Sequence, residues 1–310
     1  MTEAARKDMV VAVVLVTYNS ADVLDDCLTS LLDGAKGVTL RDVLVVDNNS
    51  RDHTVALAET AADLGLPIRV VQLGRNAGYA AAINAGIDAL RPDPPDAVLI
   101  LNPDARLRVG SIAALAASLN GRRGITVPRL VFPDGSLQPS LRRKPTVLNA
   151  LGEAVLGARA GRTKRLGELV VAPEEYEHPG PAVWATGASM LVSWQVSEEV
   201  GRWDESFLLY SEETDFTLRA ADRGWTCWYE PASVMEHLNG ESGTNPMLWA
   251  LQTVNRVVLF RRRNGFVRGG LYWLAVTAGQ AVRALAGRRP ARLAVRWLVR
   301  PSARITVLPQ

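Results

Sequence analysis

Short apolar runs alternate along the first third of the chain with stretches of helical periodicity. Val10–Val16, Asp42–Val46, Ile68–Gln72 and Val98–Leu101 are compact and rich in Val, Ile and Leu, the pattern of strands in a parallel sheet covered on both faces. Between them, Ala21–Leu32 sets Val23, Leu24, Cys27, Leu28, Leu31 and Leu32 at helical spacing with a stop near Gly34, and further helices are predicted over 54–64 and through Asn84 to Leu90. Strand and helix alternating at this interval predict βαβ units, hence an α/β fold with a mostly parallel central sheet flanked by helices.

A helix over 110–119 and a strand over 125–130 follow. From Phe132 the chain becomes loop-rich, and 158–182, with Gly, Pro, Arg and Glu in no period, is expected to be a mobile segment. Ala182–Val192 is strand-like with small residues, Gly187 and Ala188, at its centre; these leave room for a ligand or for a close-fitting helix equally well. A helix over 196–200, a helix through the 212–222 region ended by Gly224, and short strands over 225–230 and 233–236 complete this part. After Asn245, helices are predicted over 247–260, 270–285 and 291–299. The expected organisation is one α/β domain over 1–244, with halves of about 1–130 and 131–244, and a helical appendage over 245–310.

Composition changes this picture in three places. The net charge of +3 hides twelve arginines after Glu241 with no Asp or Glu among them, which leaves residues 1–241 at −9 by subtraction. Arg283 interrupts the best candidate for a membrane span, so the tail reads as an Arg-rich amphipathic surface suited to an anionic membrane, or as helices packed back on the main domain with solvated arginines. The two cysteines, Cys27 and Cys227, fit no metal spacing and are expected to be buried thiols in a reduced, cytosolic setting. The charged start, Met1–Asp8, is followed by a short β-branched run leading into Thr17-Tyr18-Asn19, which reads as a first strand and not as a signal peptide.

Candidate chemistry sits where the apolar runs end. Val98–Leu101 runs into Asn102-Pro103-Asp104; Pro cannot continue a central ladder, so Asp104 is left at a carboxyl edge, where α/β sheets bind ligands and where a carboxylate can hold a divalent cation. Asn-Pro-Asp is also good turn chemistry. Asp42–Val46 likewise ends in Asp47-Asn48-Asn49-Ser50. Gly74-Arg75-Asn76-Ala77-Gly78-Tyr79 precedes a helix whose N–H groups can meet an anion, but it matches neither a Walker nor a dinucleotide pattern, which argues against P-loop hydrolysis and hydride transfer. Glu212, Glu213 and Asp215 fall in a first helical turn. Capping explains them, yet three acids in four positions repel one another, and repulsion lifts a carboxylate toward the range of a general base. His237, one of three histidines, follows a strand and can reach the rim of Asp104; carboxylate, imidazole and diphosphate together suit Mg2+ or Mn2+ better than zinc.

These pieces in this order resemble the inverting family 2 glycosyltransferases of the GT-A nucleotide-diphospho-sugar transferase fold, and their bacterial rhamnosyltransferase-like branch, over roughly Val10–Ser242. The blocks are Val14-Leu15-Val16-Thr17-Tyr18-Asn19, Val45-Val46-Asp47-Asn48-Asn49-Ser50, Arg75-Asn76-Ala77-Gly78 with Asn84, Leu101-Asn102-Pro103-Asp104, Thr186-Gly187-Ala188, Trp203-Asp204-Glu205, Glu212-Glu213-Thr214-Asp215, and His237 with Ser242. The resemblance implies a nucleotide-binding first half and an acceptor half, with Thr17, Tyr18, Asn19, Asp47 and Asn49 on the nucleotide, Asp47 accepting from a pyrimidine N3–H. Arg75, Asn76, Gly78, Asn84 and Asn102, with Arg142 or Arg143, are implied on the phosphates and sugar. Asn102-Pro103-Asp104 stands where the family carries Asp-x-Asp, so Asp104 and His237 are the implied metal ligands. Gly187, Ala188, Trp203, Asp204 and Glu205 are implied at the acceptor. Glu213 takes the place of the usual Asp base; Glu212 and Asp215 remain alternatives.

The implied reaction moves a sugar, best matched by L-rhamnose from a dTDP-sugar, to a glycan or polyprenyl-linked hydroxyl at the cytoplasmic face of the plasma membrane, with the protein peripheral to it and no nucleic acid involved. Two rival readings are a catalytically inactive sugar-nucleotide-binding module and a nucleic-acid-binding protein using the basic tail. The second explains the arginines but leaves Asp104, Glu213 and His237 without a joint purpose. Nothing in the sequence speaks to oligomeric state.

Overall fold

The computed structural model describes residues 8–238 and 245–309. The nucleotide half is β1 (Val10–Thr17), α1 (Ala21–Gly34), β2 (Thr39–Asp47), α2 (Thr54–Thr60), β3 (Ile68–Gln72), α3 (Tyr79–Leu90) and β4 (Ala97–Leu101). Next come β5 (Ala105–Leu107), α4 (Ser111–Ser118), β6 (Arg123–Val131), β7 (Leu141–Arg142), α5 (Val147–Leu156), β8 (Gly180–Ala182), β9 (Trp184–Ala185), β10 (Ser189–Ser193), α6 (Trp194–Val200), α7 (Glu212–Asp222) and β11 (Thr226–His237). The tail is α8 (Pro246–Leu285) and α9 (Arg289–Val299).

The main sheet runs β3-β2-β1-β4-β10-β6-β11-β5, with β8 also on β11. β3, β2, β1 and β4 are parallel to their neighbours. β10 runs antiparallel to both β4 and β6, and β11 is parallel to β6 but antiparallel to β5 and β8, so the sheet is parallel in its first half and mixed in its second. Successive residues of β1 go to opposite faces: Ala12, Val14 and Val16 join a core with α3 and α7, while Val11, Val13 and Leu15 join one with α1 and α4. Two covered faces explain why β1 and β4 carry no polar residue before their carboxyl ends.

Three expectations change. The 158–182 segment is folded onto the domain: Tyr176 is fully buried, its hydroxyl donates to the Val170 carbonyl and accepts from the Leu141 N–H, and Glu168 is buried beside α8. Its lack of periodicity reflects 3-10 turns and side-chain anchoring, which leave no repeating signal. The single strand expected over 182–192 breaks at Thr186–Ala188 into β9 and β10, and the two short strands near 225–236 are one strand, irregular between Glu230 and Val234, around Pro231.

The tail is not a separate appendage. Asn245 caps α8 by accepting from Met247 N and Leu248 N, and Pro246 starts the helix where no N–H is needed. At Gly265, φ is 74°, a conformation that favours glycine, and the helix folds back on itself. Trp249 donates to Gln280 (3.0 Å), Arg256 to the Tyr272 hydroxyl (2.9 Å), and Phe260 stacks on Tyr272 with centroids 4.0 Å apart, so limbs 246–264 and 266–285 form an antiparallel hairpin. Arg256 bridges Glu153 and Glu168, Arg262 meets Asp204 and Arg263 meets Asp222, which uses three of the twelve arginines against the main domain. Cys27 and Cys227 are free and buried.

Candidate active site

β1 and β2 end side by side, with Thr17 opposite Asp47 in the register. Both are buried, and the Thr17 hydroxyl donates to Asp47 Oδ1 at 3.0 Å. The Ser50 N–H donates to Asp47 Oδ2 (2.8 Å), and the Ser50 hydroxyl also reaches Oδ1. A buried carboxylate needs such donors, and Oδ2 keeps a lone pair for a further one. Asn19 and Asn49 carry the two loops through left-handed backbone (φ 48° and 68°); Asn19 is exposed, its N–H on Ser50 and its Oδ1 on Arg51 N. Asn48 accepts from Ala77 N, tying the Asp47 loop to the Arg75–Gly78 loop. Arg75 is exposed. Tyr18 and Asn76 both donate to the carbonyl of Pro309 (3.2 and 2.9 Å), so the end of the tail reaches these loops. At Gly78 a Cβ would lie 2.2 Å from the Leu208 carbonyl, which excludes any other residue and brings the donor loop against the segment leading to α7.

At the end of β4, Asn102 donates its N–H to Ala188 and accepts at Oδ1 from the Tyr79 hydroxyl (2.8 Å), which also lies 3.0 Å from the Gly187 carbonyl. Two residues on, Asp104 precedes β5, and the pairing of Ala105 with His237 brings His237 beside it, Nε2 to Oδ1 at 3.3 Å. The Gln138 amide nitrogen faces the His237 carbonyl, so its Oε1 faces Nδ1 at 3.0 Å and Nδ1 carries the proton. Asp104 Oδ1 and His237 Nε2 thus offer an oxygen and a nitrogen that would hold a divalent metal, leaving its other positions to oxygens of substrate and water. No group of three or more His, Cys, Asp or Glu positioned for a metal occurs among the described residues.

The acids of α7 separate into different environments. Asp215 is held by Arg219 (2.6 Å), which also donates to the Val200 and Arg202 carbonyls, so its carboxylate is engaged in that ion pair. Glu212 is 2% exposed with Oε2 unpartnered; burial, then the neighbouring Glu213, pushes its carboxyl well above the usual range. Glu213 is half-buried, raised by burial and drawn back by backbone N–H groups and Arg142, and it lies against Gly187, where a Cβ would be 3.6 Å from its side chain. Tyr79 lies between the two ends: burial, Glu212, Glu213 and Asp104, in that order, hold its hydroxyl well above the ordinary phenol range. One tyrosine therefore faces both the metal-type carboxylate and the candidate base.

Other expected residues are placed differently. Asn84 is 2% exposed, and its amide is used on the Trp203 backbone and on Glu205, so it shapes that loop and offers nothing to phosphates. Trp203 is buried and stacks on Phe216 at 4.3 Å; Asp204 caps a 3-10 turn and pairs with Arg262; Glu205 pairs with Arg202. Trp203 thus faces the core beside α7, while Asp204 and Glu205 are engaged in ion pairs at the surface. Ala188 is buried, its carbonyl spent on Asn102. Ser242 lies outside the described residues.

This constellation has counterparts. A family model described as Glycosyl transferase family 2 matches residues 12–167. The chain belongs to glycosyltransferase family 2. A Mycobacterium tuberculosis N-acetylglucosaminyl-diphospho-decaprenol L-rhamnosyltransferase is 33% identical over 281 residues, covering 85% of this chain and 88% of the relative. Among solved structures, the Pyrobaculum calidifontis mannosyltransferase PcManGT, in complex with GDP-Man and Mn2+, superposes with a TM-score of 0.58 at 17% identity, over 96% of this chain and 82% of that one. Residues 1–349 of S. aureus TarS, in complex with UDP, superpose with a TM-score of 0.52 at 16% identity, over 97% and 94% of the two chains. The family 2 enzyme described here is thus a glycosyltransferase with the GT-A fold, as its motifs imply.

Sequence reasoning did not single out Gln138, which orients His237, or Asn255 of α8. The Asn255 amide donates to the carbonyls of Phe207, Leu209 and Tyr210. It braces a segment in which Leu208, Tyr210 and Ser211 all have positive φ, immediately before Glu212. Tyr79 was visible only as the residue after Gly78; nothing local marks where its hydroxyl goes.

Proposed function

We propose that this enzyme transfers L-rhamnose from a dTDP-sugar to a hydroxyl of a polyprenyl-diphosphate-linked glycan, with inversion, from a position peripheral to the anionic cytoplasmic face of the membrane. The observation that supports the reaction is the gathering near the Tyr79 hydroxyl of Asp104, which pairs with His237, and of Glu213, which lies against Gly187, whose carbonyl is 3.0 Å from that hydroxyl. The similarity to the mycobacterial rhamnosyltransferase supports the choice of sugar and acceptor.

Thr17 and Asp47 hold the nucleotide, the spare lone pair of Asp47 Oδ2 taking the N3–H of the base. Glu213 accepts the proton of the acceptor hydroxyl as its oxygen attacks the anomeric carbon, and the bond from that carbon to the diphosphate oxygen breaks on the opposite face. Burial and the neighbouring Glu213 hold the Glu212 carboxyl well above the usual range, which disfavours a second full charge beside the base. Asp104 and His237 would hold Mg2+ or Mn2+, whose charge offsets that developing on the departing diphosphate. Gln138 fixes the ring of His237 for that task.

Release of nucleoside diphosphate from a panel of sugar nucleotides, with and without Mg2+ or Mn2+, tests the reading. dTDP-rhamnose is expected to be the turned-over donor, with the rate falling by about 10²–10⁴-fold in Glu213→Gln and metal dependence lost in Asp104→Ala. Turnover of another donor in preference refutes the sugar assignment; full activity of Glu213→Gln refutes the base.

A further inference from the structure

The returning limb of α8 carries an exposed apolar stripe. Val267, Leu271, Leu274, Ala278, Val282 and Leu285 recur at helical three- and four-residue spacing and are all exposed, Leu285 at 90%. Phe266, at the hairpin tip beside Gly265, is 83% exposed. The opposite side of the limb, through Tyr272, Ala275, Val276 and Gly279, is buried against the rest of the tail and α5. The stripe is therefore a second apolar face, in excess of what folding uses.

α5 extends it. Leu148, Leu151 and Val155 line one exposed side of that helix, Val155 at 81%. The two helices touch where Gly279 lies against Ala154, a Cβ there meeting Ala154 Cα at 3.0 Å, and Arg283 donates to the Glu153 carbonyl. Exposed apolar residues in these numbers on two touching helices mark an interaction site.

Charge decides the occupant. α9 packs beside the returning limb through Trp273, whose indole N–H donates to the Leu298 carbonyl. On its outer side Arg289, Arg292, Arg296 and Arg300 are exposed, and none forms an ion pair with a described residue. No acidic residue follows Glu241 to neutralise them. An apolar stripe about 30 Å long, bordered by unneutralised guanidinium groups, matches an interface whose headgroups are anionic and whose interior is hydrocarbon. Nucleic acid would satisfy the arginines and leave the stripe wet. No helix among the described residues is long and apolar enough to cross a membrane.

We propose that the returning limb of α8, the exposed side of α5 and the arginine ridge of α9 together form a docking surface for an anionic lipid bilayer. The surface rests on the proposed lipid-linked acceptor for its purpose but not for its physics. Its position suits that purpose: Arg142, at the end of β7 and just before α5, is close enough to act electrostatically on Glu213, on Glu153 of α5 and on Glu168. A diphosphate emerging from the bilayer at α5 meets Arg142 before its sugar reaches the base.

Flotation of the full chain with vesicles of phosphatidylcholine alone, and of equimolar phosphatidylcholine and phosphatidylglycerol, tests it. Binding is expected only to the anionic vesicles and to weaken with salt. The pairs Leu274→Glu with Val282→Glu, and Leu151→Glu with Val155→Glu, should each lower the partition coefficient at least about tenfold, and Arg292→Gln with Arg296→Gln by about tenfold. All six positions are solvent-facing, so thermal unfolding and diphosphate release in solution should not change. Absence of flotation, equal flotation of the variants, or a dimer in sedimentation velocity that the glutamate variants dissociate overturns the proposal; the last would make the face an interface between copies. Flotation without turnover of dTDP-rhamnose sinks the function and leaves the surface standing, and turnover without flotation does the reverse.

Discussion

Asn255→Leu removes a buried amide of nearly the same shape from the first limb of α8, and its effect should be felt at the base. Two N–H protons serve three carbonyls at 2.6, 2.9 and 3.2 Å. The Phe207 carbonyl keeps the Leu209 N–H, so two amide hydrogen bonds are lost without replacement at about 1–3 kcal/mol each, and unfolding free energy should fall by about 2–6 kcal/mol. The braced segment holds Leu208, Tyr210 and Ser211 at φ of 62°, 68° and 79°; at about 1 kcal/mol or more per residue, the strain is comparable to what the amide supplies. Without the brace the segment relaxes and the start of α7 moves with it. Misplacement of a reacting group by about 1 Å costs about 10²-fold, so kcat should fall by about 10- to 100-fold. KM for the donor should change little, because β1 and β2 hold the nucleotide. Urea unfolding and steady-state kinetics on the same preparation check this. A stability loss of the expected size with kcat within about twofold of the parent would refute the idea that α8 sets the geometry of the base.

Glu212 is raised by burial and by Glu213, so the folded chain binds a proton there more tightly than the unfolded chain and stability falls as pH rises from the ordinary glutamate range through the raised value. Glu212→Gln should flatten that slope and raise Tm at alkaline pH; an unchanged slope counts against it. Because Glu213 is raised as well, the acidic limb of kcat should lie above the ordinary carboxylate range, the rate being lost as pH falls through it, and a limb at the value of a free glutamate would contradict the assignment. Gln138→Leu should weaken metal activation by about 10- to 100-fold through His237 without touching a ligand, read from the Mn2+ dependence of turnover. Arg256→Met strands Glu153 and Glu168, the latter buried and already raised by burial, and should cost about 3–5 kcal/mol of stability, measured by urea unfolding; a loss under 1 kcal/mol would mean the cluster is solvated.

The nucleotide half was legible because its signals are local. Strands covered on both faces must be apolar throughout, so their ends stand out, and Thr17, Asp47 and Asp104 are the polar residues found there. Periodicity likewise marked α1 to α4 to within a few residues, whereas α5, in the stretch read as loop-rich, was missed. The 158–182 segment was misread because 3-10 turns have no apolar period. The tail presented two readings, and its structure partitions them: one side packs on the domain through Arg256, Arg262 and Arg263, and another remains apolar and exposed.

Polar partners were the larger gap. Asn84 looks like a phosphate ligand in one dimension and braces the Trp203–Glu205 loop in three. Gln138 orients His237 across 99 residues, and Asn255 holds carbonyls 45–48 residues away. Alternation of apolar and polar side chains is a property of neighbours in the chain, and it determines which elements form and which face of each is buried. The partner of an amide or a carboxylate depends on where the sheet and the hairpin place distant residues, so tertiary structure alone set Asp215 on Arg219 and Glu213 against Gly187, paired His237 with Asp104 and left one face of α8 without a cover.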